Sequence, residues 1–202
     1  MTVRRISLSD GREAAVTAVA GALTAGLLAV FPTETVYGVG ADSGNPGALE
    51  RLRRVKGRDA DKPFQLLVSG VGMGLAMGGE FSPGALRLAE AFWPGPLTLV
   101  VPTANAETTL GLRVPDDPFI LSVVGKLGRA VTASSANPAG APAPTTASQA
   151  EDICEDIDVL VDGGPCRVGL ASTVVMADAG GGFTILREGA IAKQAVDAAW
   201  RP

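Results

Sequence analysis

Three features of the chain predict an α/β fold in one domain. Short apolar runs suited to buried strands alternate with segments of helical spacing along the whole sequence. Of the 202 residues 47% are apolar and 19% charged, which is enough to bury a sizeable core and argues against disorder. Several strands run into hydroxyls, amides, glycines or arginines, and strand ends are where open α/β sheets bind ligands.

Taken in order, Val16, Val19, Ala20 and Leu23 follow helical spacing, with Ser9 or Asp10 as cap and Gly26 as stop. Leu27-Leu28-Ala29-Val30 reads as a buried strand. Pro32 ends its pairing and turns the chain outward. The stretch Phe31 to Gly40 then sets two hydroxyls, a carboxylate and a phenol within five residues. Gly38 and Gly40 there allow something to approach the backbone closely. Asn45-Pro46 opens a helix with Leu49, Leu52 and Val55 on its apolar side, and Gly57 closes it. Six of the seventeen Lys and Arg residues fall between Arg51 and Lys62. Arg51, Arg53 and Arg54 read as solvated helix surface, whereas Arg58 and Lys62 lie on a loop at the entrance of strand Phe64 to Val68 and could hold phosphates.

Ser69 to Glu80 reads as a surface connection, and Ser82-Pro83 opens a helix with Leu86, Ala89 and Trp93 facing inward. Trp93-Pro94-Gly95-Pro96 is a rigid turn leading to strand Leu97 to Val101. Strand Leu110 to Pro115 carries Arg113, which needs an anionic partner if it is buried. A helix over Phe119 to Lys126 and a strand over Ala130 to Ala133 follow. That strand runs into Ser134-Ser135-Ala136-Asn137-Pro138-Ala139-Gly140, either an anion-binding loop or an ordinary turn. Thr145 or Thr146 caps the next helix. Three further strands at Val159 to Val161, Thr173 to Val175 and Phe183 to Leu186 precede a closing helix within Gly189 to Trp200.

Composition removes whole classes of function. The net charge of −4 argues against a broad basic face for nucleic acid. There is no histidine, the commonest general base and metal ligand. Cys154 and Cys166 have no CxxC or histidine partners, which excludes a zinc site on ligand count and points to reduced core thiols. Ala14 to Thr33 carries no charge, yet its threonines, glycines and proline make it too weakly apolar for a signal peptide or membrane span. A soluble, cytoplasmic protein is expected. No P-loop, GxGxxG after a strand, GxSxG elbow or metal-ligand spacing is present. The recurring polar groups at strand ends suit a site that works by positioning and charge stabilisation.

Seven motifs carry a resemblance: PTETVYGVGAD, KGRDADKPFQLLVS, WPGPLTLV, LGLRVPDDP, SSANPAGAPAPTT, ASTVV and ILREG. In this order and over roughly Leu8 to Ile191, the chain resembles the YrdC family in its short form, that of the threonylcarbamoyl-AMP synthases. The resemblance implies a twisted mixed β-sheet with flanking helices around a concave, positively charged cavity, in a single domain over 1–202 without the second domain of longer members. It implies formation of threonylcarbamoyl-AMP and pyrophosphate from L-threonine, bicarbonate or CO2, and ATP with Mg²⁺, feeding threonylcarbamoyladenosine formation in tRNA and the proteins that complete it.

No side chain is then expected to act as acid, base or nucleophile; Arg58, Lys62 and Arg113 position and stabilise charge. The family places threonine contacts at Thr35, Ser135, Ser172 and Arg113, with Arg113 as a two-pronged carboxylate clamp. It places ATP contacts at Arg58, Lys62, Thr109, Asn137, Thr145 and Arg187. Removing Arg58 or Arg113 is expected to abolish pyrophosphate release without unfolding. Two departures stand out: Leu67 and Asp117 occupy positions where many members carry histidine. Two other readings are open on the sequence. One is an RNA- or tRNA-binding module, supported by the basic run near Arg51; the other is a carbamoyl-adenylate-forming module.

Overall fold

The computed structural model describes residues 3–57, 63–104, 108–138, 140–151, 156–178 and 180–201. Arg58, Lys62 and Cys154 lie outside the described residues. Strands are β1 (Arg4–Ser7), β2 (Ala29–Phe31), β3 (Gly38–Asp42), β4 (Gln65–Leu67), β5 (Leu97–Pro102), β6 (Thr109–Arg113), β7 (Val131–Ser135), β8 (Val159–Asp162), β9 (Thr173–Ala177) and β10 (Phe183–Arg187). Helices are α1 (Arg12–Thr24), α2 (Pro46–Lys56), α3 (Val71–Ala76), α4 (Pro83–Phe92), α5 (Pro118–Leu127), α6 (Ala147–Glu151) and α7 (Lys193–Trp200). All ten strands join one mixed sheet in the order β1-β8-β2-β3-β7-β4-β6-β5-β9-β10.

Local chemistry explains most boundaries. Asn45 Oδ1 accepts the Ala48 N–H at 3.0 Å and Pro46 occupies the first turn of α2, while Gly57 ends it in the left-handed conformation. Ser82 caps α4, Asp117 caps α5 and Thr146 accepts from the Gln149 N–H.

Five sequence expectations are corrected. Helix α1 is preceded by Gly11 rather than capped by Ser9 or Asp10, which belong to a 3-10 turn over Leu8–Asp10. The glycines after Tyr37 form β3, and the close approach they allow is by the protein itself. A Cβ on Gly40 would stand 2.7 Å from the Thr132 carbonyl and 2.9 Å from the Phe31 ring. Ser134 and Ser135 belong to β7, because they pair with Val39 and Gly38. The connection after Ser69 contains α3, and Leu86 of α4 points outward at 43% exposure while Ala85, Leu88 and Ala89 are buried. Polar β1 is held by parallel pairing to β8, a contact its own sequence does not announce.

Strand alternation sorts the core into layers. On one face Ala29, Phe31, Val131, Ala133, Val159 and Val161 pack under α1 and α5. On the other, Val30, Val39, Ala41 and Leu160 pack against α2 and α6, and Leu97, Leu99, Val101, Leu112 and Val175 pack against α4 and α7. The first face is covered over half its width only. Over β4, β6, β5, β9 and β10 the residues of that face line an open cavity instead. No described helix is long and apolar enough to cross a membrane.

Candidate functional site

The cavity follows from period two in the strands. In β6, Leu110 and Leu112 enter the core, so Thr109, Gly111 and Arg113 must face the other way. In β5, Thr98 and Val100 face it; in β9, Val174 and Met176 do, with Ser172 just ahead of the strand. A register shift in β10 between Ile185 and Arg187 brings both Leu186 and Arg187 to the lining. Gln65 and Leu67 of β4, Ser135 of β7 and the Thr33–Val36 turn complete a hollow of about 400 Å³.

Six of the ten expected site residues meet there: Thr35, Thr109, Arg113, Ser135, Ser172 and Arg187. Asn137 and Thr145 are not among the lining residues. The Asn137 amide donates to Ala141 O, and its Oδ1 is buried with no hydrogen-bond partner among the described residues. Thr145 bonds to Gln149, and its carbonyl accepts the Cys166 N–H at 2.9 Å, which ties it to a strap over 163–171. That strap is laid on the turn: the Val168 and Gly169 N–H groups donate to the Glu34 and Thr35 carbonyls at 2.8 and 3.0 Å. The Tyr37 hydroxyl donates to Gly164 O at 2.7 Å beneath it. Burial pushes this phenol up to about 12 and the Cys166 thiol up to about 11, so both stay neutral and serve structure.

Arg113 is buried at 4% exposure, and its anionic partner is Glu34, at 2.6 Å from Nη2 and 3% exposed. Nη2 also donates to Thr35 Oγ1 at 2.9 Å, and Nε donates to Gly95 O at 3.2 Å. Thr33 spends its proton on Val36 O, so Thr35 donates to Thr33 and accepts from Arg113. Both protons of Nη2 are thus committed. Nη1 has no hydrogen-bond partner among the described residues and is the end left for a ligand. The two-pronged clamp expected of Arg113 is reduced to one prong by the protein's own carboxylate. Removing Arg113 would also strand Glu34, so the expectation of a variant that loses activity without loss of stability is not supported by this geometry.

The described charged residues lining the cavity are Arg113 and Arg187, so the positive lining expected is present. Neither departure from the family pattern adds a titrating group to it. Leu67 presents an apolar surface there, while Asp117 is spent on the Phe119 and Ile120 N–H groups. Burial raises the Asp117 carboxyl above the usual range, partly offset by those two donors. Among the described residues no cluster of His, Cys, Asp or Glu could hold a metal ion.

Three participants escaped the sequence reading. Lys56, in the last turn of α2, donates from Nζ to Ser135 O at 2.7 Å and to Asn137 O, fixing the end of β7. Gln65 and Thr98 join Ser172 in a hydrogen-bonded group on the cavity wall. Thr98 could have been found by counting in twos along β5; Gln65 and Lys56 had no local signal.

Comparison with known proteins agrees with this geometry. The Sua5/YciO/YrdC family model, described as "Telomere recombination", matches residues 21–189. A threonylcarbamoyl-AMP synthase of Pyrococcus abyssi is 38% identical over 165 residues, covering 77% of this chain and 48% of that protein. One of Bacillus subtilis is 36% identical over 186 residues, covering 85% and 52%. The chain therefore spans about half the length of these two relatives. The crystal structure of P. abyssi Sua5 complexed with L-threonine superposes with a TM-score of 0.86 at 32% identity, over 98% of this chain and 61% of that one. The half-covered mixed sheet and the motifs along it have one common explanation: this chain belongs to the Sua5/YciO/YrdC family.

Proposed function

We propose that the protein is an L-threonylcarbamoyladenylate synthase, making threonylcarbamoyl-AMP and pyrophosphate for threonylcarbamoyladenosine formation in tRNA. The observation that carries this reading is the convergence of Thr35, Arg113, Ser135, Ser172 and Arg187 on one cavity. The fold is shared with a relative whose crystal structure holds L-threonine.

The proposed chemistry needs no titrating side chain. The neutral amine of threonine attacks CO2, forming the N–C bond of a carbamate and releasing one proton. A carbamate oxygen then attacks the α-phosphorus of ATP; the new P–O bond forms as the bond to the β-phosphate breaks, and pyrophosphate leaves. Arg113 Nη1, Thr35, Ser135 and Ser172 hold the amino acid. Arg187 meets phosphate charge, with Arg58, Lys62, Thr109, Asn137 and Thr145 proposed as further ATP contacts. Mg²⁺ enters as part of the nucleotide substrate, since no described carboxylate lines the cavity.

Purified protein given ATP, Mg²⁺, bicarbonate and L-threonine is expected to release pyrophosphate, and omission of either threonine or bicarbonate to stop it. Release that continues without an amino acid would refute the substrate assignment.

A further inference from the structure

The cavity wall holds a hydrogen-bond chain that runs from Arg187 through Ser172 and Thr98 to Gln65. A guanidinium only donates, so the 3.1 Å contact from Arg187 Nη2 makes Ser172 Oγ an acceptor. With Gln65 Oε1 facing Thr98, the Thr98 proton goes to that oxygen at 2.6 Å, so Thr98 Oγ1 accepts from Ser172 at 2.8 Å, and Ser172 Oγ also lies 3.4 Å from the same Oε1. The carbonyl end of Gln65 is thereby consumed. Its Nε2 carries two donors with no hydrogen-bond partner among the described residues, on a side chain that lines the cavity.

Gln65 lies on the same sheet face as Arg113. The parallel register pairs Leu67 with Arg113, which puts Gln65 two residues back on the adjoining strand. Arg113 contributes Nη1, another pair of donors. Both a neutral double donor and a cationic one therefore line this cavity, with no described acid among its lining residues to oppose them. Such a wall suits a planar oxyanion, one oxygen for each donor pair. A ligand without the oxyanion would leave these donors unpaired in a half-closed site, the situation in which polar groups discriminate most strongly.

We propose that Gln65 is a specificity-determining residue, its Nε2 and Arg113 Nη1 together holding a planar carboxylate-type group of the ligand. This rests on the proposed synthase reading, which supplies two sources of that group: the carboxylate of the amino acid and the CO2-derived carbamate. Gln65 takes the place of the prong that Glu34 removes from Arg113.

Two variants test it. Gln65→Glu keeps the oxygen that Thr98 needs and turns the donor end into an anion; Gln65→Met keeps the bulk and removes the donors. Calorimetric titration with L-threonine is expected to weaken on the order of 10²-fold for Gln65→Glu and roughly 10-fold for Gln65→Met. L-Threoninamide, which lacks the oxyanion, should bind the wild type weakly and lose little more in either variant, a pattern that a merely structural role would not produce. If threonine affinity is unchanged but the bicarbonate KM rises tenfold, the oxyanion held is the CO2-derived one. Variants matching the wild type within about twofold in both measurements, with a fully active wild type, would overturn this inference alone. A wild type that neither binds L-threonine nor releases pyrophosphate would overturn the proposed function and this inference together.

Discussion

Replacing Arg113 by methionine keeps the buried stem of the side chain and deletes its charge. Glu34 would then lie 3% exposed with neither oxygen paired among the described residues, since Oε2 already lacks a partner among them. Thr35 Oγ1 and Gly95 O would each lose a donor as well. Removing one member of a buried ion pair costs about 3–5 kcal/mol, because the remaining charge stays desolvated. At about 2–4 °C per kcal/mol for a chain of this size, the expected fall in Tm is roughly 6–20 °C. The double variant Glu34→Gln/Arg113→Met leaves a neutral amide with unmade hydrogen bonds, a cost of only about 1–3 kcal/mol. It should therefore be more stable than Arg113→Met alone. Urea unfolding of the wild type, both single variants and the double variant gives the coupling energy directly, expected at about 2 kcal/mol or more, since the loss in Glu34→Gln adds to the difference between Arg113→Met and the double variant. Strict additivity, or a loss below about 1 kcal/mol in Arg113→Met, would show that this pair is not held in a desolvated site.

Two more outcomes follow from single positions. A Cβ on Gly111 would meet Val100 Cγ2 at 3.9 Å and Thr98 Cγ2 at 4.0 Å, ordinary contacts, so Gly111→Val fills the cavity floor without disturbing the core. Its Tm should stay within a few degrees while pyrophosphate release and L-threonine binding fall at least about tenfold; unchanged binding would place the ligand elsewhere. Asp117 has its carboxyl raised by burial, so folding favours its protonated form, and that contribution is lost as pH rises through the raised value. Asp117→Asn keeps the cap and removes the cost of ionisation. The variant should melt above the wild type at pH 7 and level with it near pH 4, and the opposite trend would refute the assignment.

The helices were largely legible because their caps are local. Asn45-Pro46 with Gly57, and Ser82-Pro83, start and stop helices through contacts within four residues. Strand residues were also legible in kind, and Arg113 within an apolar run announced its need for an anion. Its partner was not legible, because Glu34 sits 79 positions away and either a substrate carboxylate or a protein one would meet the demand. The strand around Gly38 and Gly40 was hidden because glycine is a poor strand former. It belongs to the sheet through the Phe31 ring that lies over it.

The sequence by itself determined the alternation of elements, the polar strand tips, the exclusion of histidine and zinc chemistry, and the motifs that mark the family. Only the tertiary structure decided that α1 and α5 cover half of one sheet face and leave the rest open. It alone joined Arg187, Ser172, Thr98 and Gln65 into one chain of hydrogen bonds. The physical reason is register. In a mixed sheet whose neighbours are mostly not consecutive, side chains meet according to strand order and pairing, and both are set by packing of the whole chain.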